Sequence, residues 1–174
     1  VSKIVFTLGG NRSGKSDFTQ KYAESLEGVK TYIATAIPFD QEMKKRIEMH
    51  RVKRGKKWDK LIEEPYKLPF VVSDLIGKSD IVLIDCITIW LSNLLLKDEN
   101  NISLIYQKID ELILNISNIN YNLFIVSNEV GMGIVPENRL ARIFRDISGV
   151  ANQKLAEISD EFYIAFAGFP LRLK

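Results

Sequence analysis

The sequence predicts an α/β fold: a mostly parallel sheet with helices on both faces. Three observations predict it. Short, β-rich apolar runs alternate with longer amphipathic stretches along the whole 174-residue chain, the pattern of strand–helix units. The runs are continuously apolar rather than alternating with polar residues, as strands buried on both faces are. Polar loops, over 9–13, 85–88 and 128–133, follow three of them, at the strand ends where such sheets bind ligands.

The elements follow in order. Residues 3–8 (KIVFTL) form a first strand ending in glycines. A helix is expected over 15–25, with Phe18 and Tyr22 four apart on one face. Residues 31–34 make a second short strand. Asp40 is placed to cap a helix over 41–53. The next helix, over 69–76, carries proline in its first turn. Residues 81–84 (IVLI) read as a buried strand ending at Asp85. Helices are expected over 88–96 and 103–116, then a buried strand over 123–127 (LFIVS). Residues 139–158 make a long helix, with Gly149 the point where it would break. A last strand, 162–167, precedes Gly168-Phe169-Pro170. No repeat or low-complexity tract interrupts this order, so residues 1–174 are expected to form one domain.

Bulk composition narrows the partners. Hydrophobic residues make up 46% and charged residues 26%, as in globular proteins. A net charge of +2 supports neither a nucleic-acid nor a membrane-surface partner. The most apolar stretch, 81–96, is broken by Asp85 and Asn93 and falls short of the ~20 apolar residues a span needs. No charged leader precedes a long apolar block, which predicts no signal peptide. The single cysteine, Cys86, makes no intrachain disulfide and no Cys/His zinc cluster. A cytoplasmic location is expected.

The residues Gly9, Gly10, Asn11, Arg12, Ser13, Gly14, Lys15 and Ser16 match G-x-x-x-x-G-K-[ST], between a strand and a helix. Glycines let the backbone curl so that its N–H groups point at phosphate oxygens. The following helix contributes its positive end. Lys15 would neutralise β- and γ-phosphate charge, and the Ser16 hydroxyl would ligate Mg²⁺. A carboxylate at the end of a neighbouring strand is the usual second metal partner, and Asp85 holds that position. Read as structure alone, Asp85 would merely cap the turn after its strand.

His50 is the only histidine. On the expected helix Glu42, Arg46, His50 and Arg54 share one face. Arg51 and Lys53 flank the ring. Neighbouring cations disfavour a second charge and keep an imidazole neutral, and a neutral imidazole is a nucleophile. Taken by itself, the same arrangement also describes a solvated basic helix.

With these pieces assembled, the chain resembles the bifunctional adenosylcobinamide kinase / adenosylcobinamide-phosphate guanylyltransferase family. The resemblance rests on GGNRSGKS over 9–16, YIATA over 32–36, Glu42-Met43, Arg46-Ile47 and His50. It continues through Trp58 with Glu63-Glu64-Pro65 and LIDCITIWLSNLL over 83–95. The block SNEVGMGIVPENRLARIFRDISG over 127–149 and Asn152-Gln153 complete it. The glycine-lysine motif alone is widespread; the block over 128–145 combined with His50 is far narrower.

The resemblance implies a P-loop, RecA-like fold, Mg²⁺ dependence and two reactions. One phosphorylates the alcohol of the aminopropanol arm of adenosylcobinamide with ATP or GTP. The other transfers GMP from GTP onto that phosphate through a guanylylated histidine, whose counterpart is His50. Guanine-nucleotide contacts carry over to residues 9–16, to Ala34, Thr35 and Ala36, to Arg51, Val52, Lys53 and Arg54, and to Glu63 and Asp85. The interval from Trp58 to the Glu-Glu-Pro triplet is one residue longer than the family pattern, which leaves Glu64 as the alternative to Glu63. A homotrimer is also implied.

Two further features stay open at this level. Asn128 and Glu129 sit at a strand end, with Gly131 and Gly133 beyond. They suit either ligand contact, Glu129 orienting an alcohol or a water, or a structural turn. Arg139, Arg142 and Arg145 recur every third residue, a phosphate-facing or a solvated row. The alternative to the two-step transferase is a single-activity P-loop kinase of a small alcohol, in which His50 would be idle. A non-catalytic nucleotide-gated module is a third reading, and the near-neutral charge weighs against its nucleic-acid form.

Overall fold

The computed structural model describes residues 2–38, 41 and 57–174. Among them, seven strands form one sheet: β1 (Ile4–Gly9), β2 (Lys30–Ala34), β3 (Lys60–Glu63), β4 (Ile81–Asp85), β5 (Asn122–Asn128), β6 (Glu161–Phe166) and β7 (Phe169–Arg172). The helices are α1 (Lys15–Glu24), α2 (Leu68–Asp74), α3 (Ile87–Lys97), α4 (Ile102–Ile116) and α5 (Arg139–Ile158). The spatial order is β3-β2-β4-β5-β1-β6-β7. All pairings are parallel except β6 with β7.

The strands are apolar throughout because both faces are covered, and their side chains divide with a period of two. Phe6, Leu8, Ile33, Val82, Ile84, Leu123 and Ile125 join one core. Val5, Tyr32, Ala34, Ile81, Leu83 and Phe124 join a second. The first core is closed by α2, α3, α4 and α5, through Val72, Trp90, Leu91, Ile109 and Ala151 among others. On the second face Ala23 and Tyr22 of α1 pack, together with Trp58. Burying each large aliphatic side chain contributes roughly 1.5–3 kcal/mol.

Local chemistry accounts for the helices. In α4 the buried Ile105, Ile109, Leu112 and Ile116 form an i, i+4, i+7, i+11 stripe. Asn101 and Asn138 cap α4 and α5 by accepting hydrogen bonds from Leu104 N and Ala141 N. Gly149 does not break α5, which runs unbroken for 20 residues. The buried face of that helix, Ile147, Ala151 and Leu155, continues across the glycine and holds both halves to the same core.

Two strands lie outside the sequence expectation, β3 and β7. Both are four-residue edge strands, and every residue of β7 is exposed. Pro170 sits in β7, where an edge tolerates the missing N–H. The β6–β7 turn uses positive φ at Ala167 (49°) and Gly168 (89°), the sense that matches strand twist. The expected helix over 41–53 with Asp40 as its cap, and with it His50, Arg51, Val52, Lys53 and Arg54, lies outside the described residues, except Gln41, which is helical.

Candidate functional site

Because β1, β2, β3, β4, β5 and β6 run parallel, their carboxyl ends share one edge. The three polar loops singled out from sequence all emerge there. The loop after β1 leads to α1 on one face, while the segment after β5 leads to α5 on the other. Adjacent strands whose connections part to opposite faces open a crevice between them.

The glycine loop wraps the start of α1. Gly14 holds φ of 89° and serves as N-cap without any side-chain hydrogen bond. The first amides of the helix are therefore left for a ligand, and an anion suits them. A Cβ on Gly14 would stand 2.8 Å from Gly168 Cα. The β6–β7 turn presses here, with Gly168 N donating to Ser13 O at 2.8 Å. At Gly9 a Cβ would meet Ser13 Oγ at 2.5 Å and Ala165 O at 2.8 Å. The Ser13 hydroxyl has no hydrogen-bond partner among the described residues.

Lys15 is 8% exposed, and its Nζ donates to Gly10 O at 3.1 Å, folded back over the loop. Burial lowers its pKa below the ordinary lysine value, while Cys86 and Asp85 partly oppose that shift. A buried cation with so little compensation is a site for an incoming anion. Asp85 ends β4 on the face that α1 covers, and its Oδ2 accepts a hydrogen bond from Tyr32 at 2.7 Å. Ser16 is half-buried in the first turn of α1. One hydroxyl and one carboxylate beside a phosphate cradle fit Mg²⁺, which keeps several waters and takes few protein ligands.

Thr35 is fully buried, and all its polar groups are engaged. Its N–H donates to Asp85 O at 3.2 Å, and its hydroxyl both donates to Cys86 O (2.8 Å) and accepts from Cys86 N (2.9 Å). Its carbonyl accepts from Asn93 at 2.8 Å. Thr35 thus ties the end of β2 to the end of β4 and fixes where Asp85 points. Ala34 stands opposite Asp85 on one side and Glu63 on the other, and Ala36 follows at the same edge, half-buried. The two glutamates part company. Glu64 Oε1 accepts from Tyr66 N (2.9 Å) and Lys67 N (2.8 Å), which closes the turn into α2. Glu63 is exposed at the carboxyl end of β3.

A cavity of about 340 Å³ borders the glycine loop, lined by residues 9–13, Glu129, Met132 and residues 164–167. Glu129 N donates to Gly9 O at 3.0 Å, which anchors the segment after β5 to the glycine loop. Arg145 donates to the carbonyls of Gly131 and Ile134, and Arg142 to those of Pro136 and Glu137. These two arginines brace the 131–137 loop. Sequence reasoning quoted Tyr32 and Asn93 within the family stretches without giving either a role, and gave none to residues 164–168. They reach the site through strand register and a hairpin turn, which local spacing does not announce.

Comparison with known proteins identifies the family. Residues 5–173 match the family model described as cobinamide kinase / cobinamide phosphate guanyltransferase. The chain is 37% identical to the bifunctional adenosylcobalamin biosynthesis protein CobU of Escherichia coli, over 98% of this chain and 99% of that one. The CobU protein of Salmonella typhimurium gives the same identity and coverage. CobP of Pseudomonas aeruginosa is 36% identical, over 96% of this chain and 95% of its own. The chain belongs to the cobinamide kinase / cobinamide phosphate guanyltransferase family.

Proposed function

We propose that this chain phosphorylates adenosylcobinamide with ATP or GTP and then transfers GMP from GTP onto the phosphate, giving adenosylcobinamide-GDP in cobalamin biosynthesis. The observation that carries the reading is Lys15: a buried, weakly compensated cation folded over a strand–loop–helix cradle, with Asp85 on the same face. The match to the family along 5–173 supplies the substrate class.

The loop amides of 9–16 and Lys15 hold the β- and γ-phosphates, and Ser16 and Asp85 hold Mg²⁺, which spreads phosphoryl charge when bound. Ala34, Ala36 and Glu63 meet the nucleotide at the β2–β3 edge, with Thr35 positioning them, and Arg51, Val52, Lys53 and Arg54 are further nucleotide contacts. For guanylyl transfer His50 attacks the α-phosphorus of GTP. The N–P bond forms, the α–β bridge breaks, and pyrophosphate leaves. The acceptor phosphate oxygen then takes the GMP from the ring nitrogen. Both reactions use one domain spanning residues 1–174.

In this reading the chain works in the cytoplasm, where its nucleotide substrates are. No described helix is long and apolar enough to cross a membrane. It acts as a homotrimer. The exposed edge strand β7, with Phe169 79% exposed and Leu171 at 56%, and Leu173 just beyond it at 56%, is surface that association would cover.

The test is incubation with Mg²⁺ and [α-³²P]GTP. The parent protein gains one acid-labile GMP, mapped to His50 by mass spectrometry, and His50→Ala gains none. Equal labelling of the two removes His50 from the mechanism. Light scattering on the same preparation reads the subunit number.

A further inference from the structure

The cavity shares the outer limb of the glycine loop, residues 9–13, with the phosphate cradle, while its other walls have no part in the nucleotide contacts assigned above. Its walls differ in character. One is the outer limb of the loop, residues 9–13; the other is apolar, with Met132, Ile164 and Phe166. The floor is kept shallow by the close approach of Gly9 to Ala165. Glu129 supplies a carboxylate at the rim. It emerges from β5, and β5 lies between the strand of the glycine loop and the strand of Asp85. Its oxygens are not equivalent. Oε1 accepts from Gly131 N, whereas Oε2 accepts no hydrogen bond among the described residues. The side chain is held in place by its own turn and keeps one acceptor open.

We propose that this cavity takes the alcohol arm of the phosphoryl acceptor, and that Glu129 is a catalytic residue of the kinase step, receiving the proton of the attacking hydroxyl. The proposal rests on the kinase reading above and deepens it. Arg12 and Glu129 both line the cavity, and the open oxygen of the Glu129 carboxylate is an acceptor for a hydroxyl donor. The volume holds a short chain and not a bulky ring system, so the rest of the acceptor stays outside, beside Met132, which is 75% exposed. The step balances as follows. The alcohol oxygen bonds to the γ-phosphorus, and the bond from that phosphorus to the β–γ bridging oxygen breaks. The nucleoside diphosphate leaves with that electron pair, and the hydroxyl proton passes to Glu129 Oε2.

Two variants test it, Glu129→Gln and Met132→Glu. In Glu129→Gln, transfer of γ-³²P from the nucleoside triphosphate to adenosylcobinamide falls by about 10²–10⁴-fold, while labelling by [α-³²P]GTP stays within twofold of the parent. Met132→Glu raises the Kd for adenosylcobinamide at least tenfold by calorimetry and leaves the Kd for ATP and GTP unchanged. Transfer within threefold of the parent in Glu129→Gln overturns the proton-acceptor role. Equal loss of transfer and labelling in that variant overturns it too, since the residue would then only shape the loop. Weaker binding of ATP or GTP in Met132→Glu assigns the cavity to a purine and overturns the subsite. A parent protein that binds adenosylcobinamide through Met132 but transfers no phosphate fails the kinase reading and, with it, the role of Glu129, while the subsite stands.

Discussion

Lys15 shows how one side chain can be prepared for its ligand. Burial pulls its pKa down, and its main hydrogen bond goes to a loop carbonyl rather than to a carboxylate. On the proposed function a triphosphate would replace that bond with charge-assisted ones, so the desolvation already incurred in folding would be recovered on binding. We expect Lys15→Ala to lower both phosphoryl and guanylyl transfer by about 10²–10³-fold, and to abolish the rise in melting temperature that GTP with Mg²⁺ gives the parent. Turnover and thermal shift equal to the parent would contradict the phosphate-cradle assignment. Asp85 is prepared differently. Tyr32 holds one of its oxygens, and Thr35 holds the peptide that follows it. Lys15, Ser16 and Asp85 were legible from a motif and a strand end. The contribution of Tyr32 was not, because only the register of β2 against β4 brings that hydroxyl to the carboxylate. In the same way, the assignment of Glu64 to turn closure became visible only with its two backbone donors in place.

Among elements, α5 is the instructive one. The sequence predicted a long helix over 139–158, with Gly149 suggesting an interruption. Tertiary packing on both sides of the glycine outweighs a propensity penalty of about 1 kcal/mol. A Cβ at position 149 meets no other atom within 4 Å, and the backbone there is helical. Gly149→Ala is therefore expected to stabilise the protein by about 0.5–1 kcal/mol, read from the urea midpoint at unchanged slope. A lowered midpoint would mean that this position needs the space. The β6–β7 hairpin makes the opposite point. Four exposed residues with a central proline carry almost no strand signal, yet their turn seats Gly168 against Gly14 and accounts for the requirement for glycine in the loop.

At the scale of the whole molecule, the two cores on either side of one sheet set the response to pH. Cys86 lies 3% exposed between β4 and α3, and burial, with the charge of Asp85, raises its thiol from 9.0 to about 12. Tyr121 is raised too by burial, its hydroxyl donating to Val72 O. Below pH 9 the thiol is neutral in both folded and unfolded chains and does not affect their balance. Between about 9 and 12 the unfolded chain ionises first, so stability is lost as pH rises. Going from pH 8 to 10.5, the parent should lose on the order of 1–2 kcal/mol more than Cys86→Ala in urea unfolding. Identical losses would show that the thiol is not held neutral. By itself the sequence determined the strand–helix alternation, the glycine-loop motif between strand and helix and the family, because each is written in local spacing or in contiguous motifs. Tertiary structure alone decided which strands are neighbours. It thereby placed Glu129 between the cradle and Asp85, set residues 164–168 against the glycines, and made Thr35 a strut. These are contacts between residues far apart in the chain, created by parallel pairing through long crossovers, and no short-range pattern encodes which carboxyl ends will meet.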